Sequence, residues 1–425
     1  MKFSVHDIPN ANASAAFVSS SIVFRESNRI PPCKIGDYDY IPWGADNQLP
    51  FNIIDRFESD ETLQSCIDFQ AETLYASGLS YRRKQSDLPC APWASDPEDF
   101  SVDNDLSEYF LGVCRDIRMF ELAVSVFILS SDGSRITNIF RKNAAYCRFA
   151  PADPSGHIPY LLYNDWRFNS NPSGVEKIDI VDSRFFMSSL DSLVRKGVRK
   201  VAVISKLPGY DSLYYPIPSY GSIFRGHWFN IKNYIAVAKE AKLKNSAPLK
   251  YMIEVSDRYW EKLYVDQHIV DPAKKQAKIN DVKKQIIDYL TGAENSGKAI
   301  FSSFFVGPDG KESHDIKITK IDSAVEGGDW ASDHAEAINM ICFAMRVHSN
   351  LVGSVPGKAQ SNNSGSDKRE LYTIAQAMQK AYRECLLRPH RMIMRFNGWS
   401  DWEPVCPIVQ LTTLDQHSDA KTSEL

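Results

Sequence analysis

The sequence contains no run of about 18 apolar residues, the length a helix needs to cross a bilayer, so no membrane-spanning helix is expected. Its first ten residues, MKFSVHDIPN, lack the basic-then-apolar layout of a signal peptide. The eight cysteines include no CxxC pair, which argues against a zinc site and against a disulfide framework. Reduced thiols in a cytosolic protein are the simplest account of them. The nine histidines are scattered, with no H-x-x-x-H or H-E-x-x-H spacing, and there is no G-x-S-x-G elbow. No internal repeat or heptad array is present. Basic charge is not in excess either: 49 Lys and Arg face 53 Asp and Glu, a net −4, so the chain lacks the basic signature of a tight nucleic-acid clasp. No catalytic constellation emerges. The chain reads as a non-enzyme with no cofactor and no metal.

What is present is ordinary globular composition, 43% hydrophobic and 24% charged over 425 residues, enough for two or more sub-domains. Residues 1–35 read as a partly extended arm. Ile41–Pro50 is rich in turn formers. Ser59 or Asp60 can cap a helix to about Ser77, with Gly78 as its left-handed end. After a linker at 82–102, a helix carries Leu106, Phe110, Val113 and Ile117 on one face. Strands are expected at 122–129 and 136–140 about a Ser131-Asp132-Gly133-Ser134 turn, then near 146–149, 158–163, 175–181 and 198–205, pairing antiparallel. A helix follows at 229–244. A small α/β insert at 249–328 has strands near 250–255, 299–306 and 314–321 and a helix from Pro272 to Leu290. One helix is expected over 329–349, starting acidic (Asp329, Asp333, Glu336), as the helix dipole favours. Another is expected over 368–387, with Pro389 as its terminator and strand-like segments at 392–396 and 407–411 beyond.

Between those last two helices lies Asn350–Asp367, NLVGSVPGKAQSNNSGSD, a Gly, Ser and Asn loop whose only charge between Gly353 and Ser366 is Lys358. Loops this long inside compact domains are usually functional or disordered. The helix before the insert has a basic face: Lys232, Lys239, Lys242 and Lys244, with Lys250 beyond, against Glu240. An isolated solvated face explains it; in a ring of copies the same face would line a surface turned to polyanions or to neighbouring subunits. Gly292-Ala293-Glu294-Asn295-Ser296-Gly297-Lys298-Ala299 nearly matches a phosphate-binding loop. Ala299 stands where a hydroxyl should reach Mg²⁺, and the order is helix, loop, strand. The loop therefore meets a helix's carbonyl end, which repels anions.

The order of elements from Tyr215-Pro216-Ile217-Pro218 to Arg388-Pro389 resembles the portal proteins of tailed bacteriophages, in particular the smaller HK97-like and SPP1-like type. Lys-faced helix, small insert, second helix ending Val347-His348-Ser349-Asn350-Leu351-Val352-Gly353, polar loop and long helix all follow that family's order. Gly44–Pro50 and the helix to Gly78 are similar to its N-terminal region. The resemblance spans roughly Gly36 to Gln416.

It implies an α+β fold that forms a ring: 1–218 as wing, 219–248 and 329–349 as stem helices, 249–328 as clip, 350–367 as tunnel loop and 368–425 as long wing helix and short C-terminal region. It also implies a homo-oligomer, dodecameric in the virion, at one capsid vertex, assembled in the host cytoplasm. Double-stranded DNA would pass through its channel, with large terminase, major capsid or scaffolding protein and head–tail adaptor as partners, and no membrane. Ser354, Lys358, Gln360, Asn362 and Asn363 would then face DNA from the loop, and Lys232, Lys239, Lys242 and Lys244 from the stem. Lys274, Lys275 and Lys278 are candidate clip contacts with the motor. Two departures stand out: little chain follows Pro389, so a helical crown is small or absent, and His348-Ser349 replaces the Val-Pro often found before the loop. The alternatives are a head–tail connector ring without a translocation role, and an NTP-binding enzyme at Gly292–Lys298.

Overall fold

The computed structural model describes residues 2–8, 13–19, 30–84, 97–167, 174–209, 213–245, 251–291, 304–306, 312–320, 328–353, 365–411 and 423–424. The chain forms two compact units: Met1–Tyr234 with Trp330–Leu425, and Ile235–Asp329. No helix among the described residues is long and apolar enough to cross a membrane.

The first unit opens with two hairpins, β1 (Lys2–Ile8) with β2 (Ala13–Ser19) and β3 (Cys33–Ile35) with β4 (Tyr38–Tyr40). Helices α1 (Leu49–Glu58) and α2 (Glu61–Tyr75) follow, then β5 (Ser80–Arg83), α3 (Pro97–Asp103) and α4 (Leu106–Phe120). α2 has Asp60 as its N-cap, accepting from the amides of Thr62 and Leu63, and Gly78 beyond its end at φ +88°. α1 begins at the end of the turn-rich 41–50 stretch, over residues to which the sequence assigned no element. Pro50 lies in its first turn, where a missing N–H costs nothing.

The body is a six-stranded sheet, β6 (Leu122–Leu129), β7 (Ile136–Lys142), β8 (Cys147–Phe149), β9 (Tyr160–Tyr163), β10 (Glu176–Ile180) and β11 (Lys200–Lys206), in the order β7-β6-β11-β10-β9-β8. Gly133 turns the β6–β7 hairpin at φ +78°, its N–H on Ser130 O at 2.9 Å. Side chains alternate across β6. Val124 and Val126 join one core with Phe149, Leu161 and Ala202; Ala123, Phe127 and Leu129 join the other with Phe110, Val201 and Ile393. One pair departs from the all-antiparallel expectation: β10 and β11 run parallel. A parallel pair needs a crossover, and α5 (Phe186–Arg195) supplies it.

Helix α6 (Trp228–Asn245) leads out of this unit. In the second unit, β12 (Tyr251–Val255) precedes α7 (Asp257–Asp266), a helix not expected from the sequence, and α8 (Pro272–Thr291). β13 (Phe304–Val306) pairs with β14 (Glu312–His314), while β15 (Ile316–Lys320) pairs back with β12.

The chain re-enters the first unit through α9 (Gly328–Ala344), α10 (Ser349–Val352), α11 (Gly365–Met378) and α12 (Lys380–Phe396). β16 (Trp402–Val405) then pairs with β5, and β17 (Val409–Gln410) with β18 (Ser423–Glu424). The single helix expected over 368–387 is two, α11 and α12, which meet at Gln379, and two helix ends also differ from expectation. α9 stops at Ala344, because Arg346 takes a left-handed φ of +57° and Val347 N–H closes back on Cys342 O at 3.0 Å. That is a helix-terminating loop in which the usual glycine is an arginine. Pro389 terminates nothing and sits inside α12, so 392–396 is helix rather than strand. Proline cannot donate to the carbonyl four residues back; Ser205 Oγ on β11 donates to that oxygen, Cys385 O, at 3.3 Å.

Candidate functional site

The site singled out by the sequence is the polar loop, and the structure describes its frame. On the N-terminal side, Cys342 and Met345 of the α9 end are buried in the core, and Val347 is buried behind them. Gln70 Nε2 of α2 donates to Met345 O. His348 caps α10, its Nδ1 accepting from Asn350 N–H at 3.2 Å. α10 ends at Gly353, whose φ of +139° favours glycine. On the C-terminal side α11 begins at Gly365, and α10 and α11 both pack on α2 and on each other. Both ends of the loop are therefore held by one helix. The loop residues Ser354, Lys358, Gln360, Asn362 and Asn363 lie outside the described residues.

A second feature sits beside this frame and differs from the sequence expectation. Lys232 is not on a solvated basic face. Its side chain is 3% exposed, with Nζ 2.9 and 2.8 Å from the two Asp60 carboxylate oxygens and 2.9 Å from Glu61. The Lys232 hydrogen bond, working against partial burial, holds the Glu61 carboxyl below its usual range. A Lys placed three residues after the buried Phe229 shares that residue's face of α6. That spacing was the available signal. Asp60 thus serves twice, as N-cap of α2 and as anchor for α6.

Nearby, the thiols of Cys66 on α2 and Cys342 on α9 lie 3.8 Å apart, both buried. The Cys342 contact and burial push the Cys66 thiol up. Cysteines 276 positions apart gave no sign of this in the sequence.

The remaining basic residues are dispersed. Lys239 is half-buried on α6, and the side chains of Lys242 and Lys244 lie outside the described residues. In the second unit Lys274, Lys275 and Lys278 share α8. Lys275 stands over the Tyr264 ring at 4.9 Å, and Lys278 pairs with Asp281 at 3.3 Å. The phosphate-loop-like stretch Gly292–Lys298 lies outside the described residues, but the residues before it form the C-terminal end of α8. A helix's carbonyl end does not attract phosphate. Among the described residues, no three His, Cys, Asp or Glu side chains are grouped to hold a metal ion.

No protein-family model matches the sequence, and no curated protein does. Solved structures do. A chain of the virion of a native gene transfer agent particle is 14% identical, matching over 87% of this chain and 85% of that one with a TM-score of 0.52. A chain of the neck of an empty particle of the same kind, computed with C6 symmetry, is 13% identical over 88% and 85%, with a TM-score of 0.53. An HK97 family phage portal protein from Corynebacterium diphtheriae also matches, 12% identical over 75% and 83%, but its TM-score of 0.32 carries no argument. The protein therefore has the fold of a chain found in the virion and neck of gene transfer agent particles.

Proposed function

We propose that this chain is the subunit of a phage or prophage portal, a ring at one capsid vertex through which double-stranded DNA is packaged and ejected. The observation that carries the reading is the breadth of the likeness: nearly the whole of this chain aligns with nearly the whole of a neck-particle chain. That neck was computed with C6 symmetry, which supports a rotationally symmetric ring here. In this reading the sheet-bearing part of the first unit is the wing, α6 and α9 are the stem, residues 249–328 are the clip, and the stretch between α10 and α11 is the tunnel loop, both of whose flanking helices pack on α2. A channel that must pass any sequence needs weak phosphate contacts and no base readout. A net charge of −4 suits that task better than a basic clasp would. The large terminase would dock on the clip, and adaptors would later take its place.

Electron microscopy of the purified protein tests the reading. Ring particles with a central channel are the expected result, with the subunit number free to vary outside the capsid. A monomer at every concentration would overturn the proposal. Particles that assemble and fill with DNA in the absence of this chain would reassign it to a connector role.

A further inference from the structure

Outside the loop and its frame, four arginines converge on a groove on the first unit. It is an open cavity of about 480 Å³, walled by Arg184 and Phe185 on one side and by Arg388, Arg391, Met392 and Arg395 of α12 on the other. Arg388, Arg391 and Arg395 recur at helical spacing, so they form one stripe. Arg388 donates one solvent-exposed hydrogen bond across the groove, to Ser183 O at 2.9 Å. Arg184 pairs with Asp182 and Arg391 with Glu384. Two carboxylates for four guanidinium groups leave the groove positive. Phe185 is 65% exposed at its rim.

Arginine, phenylalanine and methionine together are the composition of a protein–protein contact rather than of a phosphate track. The groove therefore calls for an acidic protein surface with a small apolar knob. The same chain carries one. Helix α3 presents Glu98, Asp99 and Asp103 to solvent around Val102, which is 80% exposed. α3 is anchored at two points: Phe100 packs edge-on to Trp399 at 5.6 Å, and Asn104, just beyond its end, bonds Thr137 O and Ile139 N–H of β7. It reaches α12 through Trp399 and Tyr81, and Tyr81 bonds His390. His390 lies about 200° around the helix from Arg388. The ridge and the groove thus flank α12 from different sides and are separate surfaces of one molecule.

We propose that the Arg184–Arg395 groove receives the acidic α3 ridge of a second copy of this chain. Two different patches meeting head to tail give a heterologous contact, the kind that closes rings. The inference rests on the ring reading above and names one of its contacts. Val102 would sit against Phe185 and Met392, with Glu98 and Asp99 against the arginine stripe.

Charge reversal tests it by mass photometry of the full-length chain. The pair Arg388→Glu with Arg395→Glu, and separately the pair Glu98→Arg with Asp99→Arg, should each weaken assembly about tenfold or more while thermal melting stays close to wild type. Combining all four changes should restore assembly. Should either pair unfold the protein, Arg395→Gln and Asp99→Asn carry the same test in milder form. Rings unchanged by the arginine reversal would overturn the contact and leave the portal reading standing. Failure of the fourfold variant to recover assembly would overturn the pairing of these two surfaces. An arginine reversal that weakens binding of a duplex DNA probe without touching assembly would reassign the groove to nucleic acid. A wild-type chain that never assembles would remove both readings.

Discussion

Lys232 Nζ stands 2.9 and 2.8 Å from the two carboxylate oxygens of Asp60, with both side chains almost fully out of water. The pair ties the first turns of α6 to the first turn of α2, and α2 in turn holds both ends of the polar loop. A lysine that would count as channel charge in a sequence is here a fastener between the loop's frame and the helix that leads into the second unit.

Removing one member of such a pair strands the other in a dry site, which costs about 3–5 kcal/mol. Lys232→Met should therefore lower the thermal midpoint sharply. Asp60→Asn keeps a capping oxygen for the Thr62 and Leu63 amides but removes the charge. In that background Lys232→Met should cost much less, a coupling that a double-mutant cycle reads directly. Additive losses would mean the two residues act apart.

Arg148 is fully buried among Trp43, Phe51 and Trp166, with no carboxylate partner among the described residues. Its guanidinium donates to the carbonyls of Ala145 and Cys147 at 2.8 Å, to Asn47 O at 2.9 Å and to the Asn47 side-chain oxygen. It thereby fastens the 41–49 turn to β8. Arg148→Met leaves those acceptors buried and unpaired, at a cost of about 2–4 kcal/mol. Arg148→Lys should recover only part of that, because an ammonium cannot reproduce the planar fork. Thermal melting, with limited proteolysis at residues 41–49, measures both; a Met variant that melts and resists cleavage like wild type would refute the role.

How far the sequence revealed these features depended on how local their causes were. The α4 stripe and the β6–β7 hairpin follow from periodicity and turn chemistry within a few residues, and both were legible. The parallel β10–β11 pair was not, because strand direction is decided by neighbours distant in the chain. Arg346 in a left-handed conformation ends α9 where only a glycine would have announced the stop. Pro389 reads as a terminator until Ser205, 184 positions earlier, is seen to serve the carbonyl that the proline leaves open. Lys232 is the same lesson at the candidate site. Its charge was visible, but its partner lies 172 residues away.

His390 on α12 gives the fold a pH signature. It is 0% exposed, with Nδ1 2.9 Å from the Tyr81 hydroxyl, and burial pushes its pKa down to about 3. The unfolded chain takes up this proton near the usual value of about 6.5. Between those values the unfolded state binds more protons than the native one, so stability is fully present above about pH 6.5 and falls as pH drops toward 3. From pH 7 to 4.5 this one group would remove about 3 kcal/mol. Denaturant unfolding at the two pH values should show that loss in wild type and a smaller one in His390→Gln. An equal loss in the variant would place the acid sensitivity elsewhere.

The loop prediction concerns Lys358, the single charge between Gly353 and Ser366. If the loop faces DNA, one lysine per subunit repeats around the ring, and each contributes at most one weak phosphate contact that salt readily screens. Lys358→Ala should leave ring assembly and melting unchanged, since the loop's ends are held by α2 and by the α9 terminus. The deficit should fall on DNA content per particle, and it should shrink as salt is raised, because screening already weakens the wild-type contact. Lys358→Glu should deepen the deficit without altering ring number. Counting genome-filled against empty particles at two salt concentrations separates the outcomes: normal filling in both variants would take the lysine out of the channel, and broken rings would make the loop a subunit contact.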